Sequence, residues 1–331
     1  MELSKQPLNK QKPLILAYAD GWLMRSELLY CRQYLEHALT LSAREPNDRA
    51  FLIGIYYRYS RLSLKEKNPQ DAINFMHAAC FSAEISGNQK LFIDALIEKA
   101  TLEHVYGRMG AALETINVVI QRVQGLGDDL LLADLYQERG MILHKLDRSE
   151  DARVDAENSF ALSVKTGSAI GRAMARKLQG NIERTAENTT LALQYYSEAY
   201  QIFFEASDML EAANCRFNAA DIYYMEGKAT EANAYSDEAI LLFTQAGSVT
   251  GVGLCHLSQG RYFLTIGDYL KAERALLLAE KIFQTRNQIH RLAQAKGFLA
   301  ELSSKRGDLP RAAVYRQERE SLMAQVNSPS N

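Results

Sequence analysis

In the stretch NCRFNAADIYYMEG, Asn214, Asn218 and Asp221 stand at i, i+4 and i+7, so a helix there puts three polar side chains on one face. An asparagine amide both donates and accepts, which suits gripping an extended peptide backbone without demanding a side-chain sequence. Asn181 and Arg184 on the preceding helix of the same kind, and Arg261 on the following one, flank that row with a cation on either side, and Tyr224 extends it. The candidate binding set is Asn181, Arg184, Asn214, Asn218, Asp221, Tyr224 and Arg261. The same spacing also fits a solvated face with no ligand, or a small-molecule site. A second column, Arg176, Arg216, His256 and Lys296, is basic at every fortieth residue. It reads either as a strip for an acidic partner or as internal pairs with acids such as Glu198, Asp237 and Glu238, and the cost of unpaired buried charge favours the internal pairs.

Other reactive residues point to no further chemistry. His37 with His77, and His104 with His144, are forty apart, but no cysteine or acidic cluster at ligand spacing joins them, so no metal site is expected. Cys215 and Cys255 share one column and read as small core fillers. There is no nucleophile elbow, phosphate loop or HExxH motif, and the glycines of QGLGDD (124–129) fall at a turn between repeats. No catalytic residue and no cofactor are assigned, and the chain is expected not to be an enzyme.

The elements that position these residues repeat every forty residues. Alanine stands at Ala72, Ala112, Ala152, Ala192, Ala232, Ala272 and Ala312. Twelve residues before each lies a small residue: Ser60, Ala100, Gly140, Gly180, Ala220, Gly260 and Ala300. Seven residues after lies a mostly small column, Ala79, Val119, Ser159, Ala199, Ala239 and Ala279, which breaks at Arg319. Small side chains there let two helix backbones approach closely. Gly87, Gly127, Gly167, Ser207, Gly247 and Asn287 close one helix of each unit, and Gly107, Asp147, Gly227, Gly267 and Gly307 mark the turn within it. Leu102, Ile142, Ile182, Ile222, Tyr262 and Leu302 form an apolar column on the other side of the first helices, so each of these is buried on two sides, as stacked hairpins require. No strand-type alternation occurs, and the six prolines are expected to avoid the helix middles.

The spacing of small residue, seven to glycine, five to alanine and seven to alanine resembles the tetratricopeptide repeat, with GRYFLTIGDYLKAERALLLAE (260–280) as the best copy. Each unit is longer than the usual thirty-four residues. That long form is similar to the repeats of kinesin light chains, bacterial signal-responsive regulators and Rap-type peptide receptors. The resemblance implies an all-α, tetratricopeptide-like right-handed α-solenoid of about eight hairpins whose concave face binds peptides. Along that face fall Ser258, Gln294 and Glu301 beside the candidate set. The expected organisation is a flexible stretch 1–11, a degenerate hairpin 12–46, units at about 47–87, 88–127, 128–167, 168–207, 208–247, 248–287 and 288–326, and a disordered tail 327–331.

Composition is that of a folded soluble chain: 331 residues, 47% hydrophobic and 24% charged. The net charge of -2 gives no pull toward nucleic acid or an anionic membrane. Four cysteines without a CxxC pair, and no secretory apolar run, place the chain in the cytoplasm. The expected function is a non-catalytic protein- or peptide-binding scaffold with a regulatory or adaptor role. A peptide- or metabolite-responsive sensor controlling transcription or signalling through a separate effector, and a self-assembly module dimerising through the sticky N-terminal hairpin, are the alternatives.

Overall fold

The computed structural model describes residues 7–327, all helix and short turns, with no strand among them. Contacts divide the chain into two compact units, one up to Ala152 and one from Arg153. The first holds α1 (Leu8–Met24), α2 (Leu28–Ser42), α3 (Arg49–Lys65), α4 (Pro69–Ile85), α5 (Gln89–Val105), α6 (Met109–Gln124) and α7 (Asp129–Lys145), and α8 (Ser149–Lys165) opens at the boundary. The second holds α9 (Ala169–Thr185), α10 (Thr189–Glu205), α11 (Met209–Met225), α12 (Ala229–Gln245), α13 (Val249–Thr265), α14 (Tyr269–Thr285), α15 (Ile289–Lys305) and α16 (Leu309–Asn327). The chain is an all-α, tetratricopeptide-like solenoid of helical hairpins.

Two seventeen-residue helices and two three-residue turns close most periods, as in α11, Glu226-Gly227-Lys228, α12 and Ala246-Gly247-Ser248, whereas α6 has sixteen residues and a four-residue turn after it. The turn is set by one left-handed residue. At Gly227 (φ 74°) the next amide, of Lys228, reaches back to the Tyr223 carbonyl at 2.9 Å and ties off the helix end. Glu187 and Lys67 adopt the same conformation (φ 62° and 60°) with no glycine or asparagine to signal it. Most first helices then begin on a capping side chain: Asp208 Oδ1 accepts the Glu211 amide at 3.1 Å, and Asp48, Asn88, Asp128, Ser168 and Ser248 do likewise.

The small column does what its spacing predicts. A Cβ on Gly180 would lie 2.7 Å from the ring of Tyr196, which is 1% exposed, and one on Gly260 would lie 2.6 Å from Leu276. Glycine lets α9 and α10, and α13 and α14, close to that distance. In the second unit Phe203, Phe243, Phe283, Leu276 and Leu299 fill the space between hairpins, and in the first unit Ile53, Met76, Leu96, Ile116 and Ile142 do so. Each fully buried side chain of this size contributes about 1.5–3 kcal/mol. Ile182 and Ile222, on the other side of their helices from Gly180 and Ala220, are also buried, so the first helices are covered on two sides.

Two expectations change at the N-terminal end. α1 starts at Leu8, within the stretch expected to be flexible, and Pro13 lies inside that helix rather than at an edge. Lys12 is buried there by its contacts with Glu45, Asp48 and the ring of Phe51, and these hold the helix down. Residues 1–6 and 328–331, parts of the two expected free ends, lie outside the described residues, whereas Asn327 ends α16.

Candidate functional site

α9, α11 and α13 bring six of the seven residues of the candidate set into one polar row, with Asn214 in a hydrogen-bonded group apart from the others. Asn181 Oδ1 accepts from the Asn218 amide at 3.2 Å and from the Tyr196 hydroxyl at 2.8 Å. Asn214 donates to Glu211 at 3.3 Å, and Lys177 donates to the same carboxylate oxygen at 2.5 Å. Asp221 is the hub of the row. Its Oδ1 accepts from Ser258 at 2.6 Å and Arg261 at 2.7 Å, and its Oδ2 from Arg184 at 3.4 Å. The two arginines expected to be anchors for a ligand are therefore engaged with Asp221, whose side chain is 14% exposed. The Arg261 side chain is 47% exposed, against 34% for Arg184.

Tyr224 does not belong to this surface. It is 5% exposed, donates to Asn233 at 2.8 Å and lies 4.8 Å from the ring of Tyr262. Burial pushes its phenol up to about 12. The helical period that aligned Tyr224 with Asn214 and Asp221 is correct only to within a fraction of a turn, and the aromatic side chain turns into the contact with α12 and α13.

The basic column is paired internally. Arg176 lies 2.7 Å from Glu198 and stacks between Phe160 (3.9 Å) and Tyr195 (5.0 Å). Arg216 lies 2.8 Å from Glu238, between Tyr200 (3.5 Å) and Tyr235 (4.8 Å). Lys296 bridges Glu280 and Glu318 beside Tyr315; burial pulls its ammonium down, and the two carboxylates more than offset that and raise it. His256 faces Gln259 at 3.0 Å. Cation and ring attract through the ring quadrupole, so Arg176, Arg216 and Lys296 join neighbouring helices, whereas His256 meets Gln259 of its own helix.

Beside the polar row lies a cleft of about 630 Å³. Phe217, Leu254, Leu257 and Phe298 supply its apolar lining, and Asp221, Ser258 and Arg261 its edge toward the row. Its far side is built from His290, Gln294, Gly297 and Glu301 of α15 with Arg319 and Met323 of α16. Sequence columns anticipated Ser258, Arg261, Gln294 and Glu301. They missed Phe217, His290, Gly297 and Met323, although Arg319 was visible as the break in the small column. Among the described residues no three His, Cys, Asp or Glu side chains converge as a metal site would require, and no helix is long and apolar enough to cross a membrane. Cys215 and Cys255 are buried, as core fillers are, and burial pushes both thiols up to about 12.

No protein-family model and no curated protein matches the sequence. Solved structures do match the fold. The apo form of RapI superposes with a TM-score of 0.73 at 11% identity over 97% of this chain and 88% of that one. A tetratricopeptide repeat protein from Parabacteroides merdae gives 0.56 at 14% identity, covering 82% and 93%. The chain has the tetratricopeptide-repeat fold. Within that fold the Rap conjugation gene regulator of plasmid pLS20, solved in complex with the Phr* peptide, is a third similar structure: TM-score 0.60, 13% identity, 95% of each chain. In this tetratricopeptide-type array the polar row falls on three successive first helices, and the cleft continues it onto the last hairpin.

Proposed function

We propose that the chain is a non-catalytic scaffold that captures a peptide or a segment of a partner protein on the face formed by α9, α11 and α13, in a regulatory or adaptor role in the cytoplasm. One observation carries the reading. Asn214 and Asn218 each make a single hydrogen bond among the described residues, through one amide hydrogen, and both are half-buried. Each therefore keeps its side-chain carbonyl oxygen and a second N–H for a ligand, and an extended backbone offers the complementary groups. The peptide complex of the similarly folded pLS20 regulator supports the reading by analogy of fold. Arg176, Arg216 and Lys296 of the basic column are paired with their own acids, which supports a protein partner over a nucleic acid. Signalling through a separate effector chain would use the same face.

The test is selection of a displayed random-peptide library on the wild-type protein, followed by affinity measurement on an Asn214→Ala/Asn218→Ala variant. Selected peptides that bind the variant at least tenfold more weakly support the reading. Peptides that bind both proteins equally place capture elsewhere.

A second reading, homodimerisation through α1 and α2, is favoured by the exposed Tyr18 (48%), Met24 (84%), Leu29 (67%) and Tyr30 (48%) on that terminal hairpin. Light scattering at tens of micromolar decides it: a dimer that Leu29→Asp dissolves supports it, and a monomer removes it.

A further inference from the structure

In the second unit the glycines of the first helices fall into two kinds. A Cβ on Gly180, Gly251, Gly253 or Gly260 would lie 2.7, 2.4, 2.8 or 2.6 Å from Tyr196, Phe243, Ile282 or Leu276, so packing inside the protein demands those glycines. Gly297 is different. Its added methyl would meet only the side chain of Arg319, at 3.5 Å, an ordinary contact. A glycine in the middle of a helix weakens that helix relative to alanine, so one that internal packing does not require calls for another cause. Gly297 lies on the wall of the 630 Å³ cleft.

Arg319 is the second departure. It replaces the small residue of its column, is exposed, and makes no hydrogen bond or ion pair among the described residues. The acids of the cleft are already answered: Asp221 by Arg184, Ser258 and Arg261, and Glu301 by Lys305 at 3.4 Å. A cationic group is left at one end of a cleft whose middle, at Phe217, Leu254 and Phe298, is half-buried and apolar.

We infer that this cleft takes a segment of polypeptide carrying a carboxylate next to a large apolar side chain. The carboxylate pairs with Arg319, the side chain fills the space between Phe217, Leu254 and Phe298, and the glycine at 297 leaves room for the Arg319 side chain, which lies 3.5 Å from where a Cβ would stand. Guanidinium recognises carboxylate through paired N–H donors, whether the acid is an Asp or Glu side chain or a chain terminus. The inference rests on the peptide-binding reading above and adds the chemistry of what is bound.

The experiment uses two pools of randomised octapeptides, one with free C-terminal acids and one amidated, each selected on the full chain. Binders are then compared on wild type, Arg319→Gln and Gly297→Ala. The expected result is enrichment of Asp or Glu beside Leu, Ile or Phe in the amide pool, or of a terminal apolar residue in the acid pool, which assigns the source of the carboxylate. Arg319→Gln weakens those peptides at least tenfold and leaves their Asn or amide counterparts unchanged. Gly297→Ala raises the melting temperature yet weakens binding, a combination that a merely structural glycine would not give. Equal binding of acidic and neutral peptides, unchanged by Arg319→Gln, overturns this inference and leaves the peptide reading standing. Binding of no peptide from either pool overturns both. N-acetyl-leucine bound as tightly as the octapeptides overturns the polypeptide part and makes the cleft a pocket for small acids.

Discussion

Alanine at Gly180 and alanine at Gly297 are the same chemical change on equivalent helices, and the structure gives them opposite signs. At Gly180 the new methyl falls 2.7 Å from the Tyr196 ring, which is 1% exposed and held by a 2.8 Å hydrogen bond to Asn181. To relieve the contact the ring must shift and strain that bond. Overpacking of this kind costs about 1–3 kcal/mol, set against roughly 0.5–1 kcal/mol that alanine returns to a helix. At Gly297 the nearest atom is 3.5 Å away, so the helical gain of roughly 0.5–1 kcal/mol stands almost alone. The two variants should differ by about 2 kcal/mol, and a domain of 150–250 residues shifts by roughly 2–4 °C per kcal/mol. Circular dichroism melts should thus place Gly180→Ala below wild type and Gly297→Ala above it. Because stacked hairpins can open segment by segment, hydrogen exchange of peptides from α9 and α15 should show each change where it was made. A Gly180→Ala protein as stable as wild type, or a less stable Gly297→Ala protein, would refute the packing argument.

Alkaline pH tests the buried thiols. Burial raises Cys215 and Cys255 from their ordinary value near 9 to about 12, so between these values the unfolded chain loses protons that the folded chain keeps, and stability falls as pH rises through that window. Cys215→Ala should flatten the decline of melting temperature between pH 9 and 11, and an unchanged slope would reject the assignment. At pH 8 neither thiol should react with a disulfide reagent until urea unfolds the second unit; rapid labelling of the native protein would contradict their burial. Arg216→Met should cost about 1–2 kcal/mol, the scale of a desolvated cation–π contact, because the guanidinium sits between Tyr200 and Tyr235 while Glu238 keeps the Tyr200 hydroxyl at 2.6 Å. A urea midpoint equal to wild type would show that these rings hold the hairpins together without it.

The forty-residue columns made the hairpins legible because each turn and each close helix contact imposes its own residue type. Gly227 and Asp147 announce left-handed turns, and Gly180 and Gly260 announce helices that nearly touch. Glu187 and Lys67 make the same turn silently, since the two flanking helices fix the chain there whatever the side chain. Periodicity assigned the polar row to one face but did not show how far each side chain turns. Tyr224 left that face for an aromatic contact, and Arg184 and Arg261 turned to Asp221. The internal pairing of Arg176 and Arg216 followed from the cost of unpaired charge, whereas their aromatic partners lie sixteen residues before and nineteen after, a spacing with meaning only once the hairpins are stacked. The cleft was the least legible part. Phe217, Gly297 and Arg319 come from three helices, and only the break in the small column marked one of them.

The central claim, that the face of α9, α11 and α13 holds a partner's chain, is tested most directly by site-specific photocrosslinking in cells. A benzophenone amino acid is placed at Thr185, exposed on α9 one turn beyond Asn181, in one variant and at Gln201, exposed on α10, in another. The account predicts a discrete adduct from position 185, absent from position 201 and lost when Asn214→Ala and Asn218→Ala are added. Adducts of equal yield and identity from both positions, or from 201 alone, would contradict it.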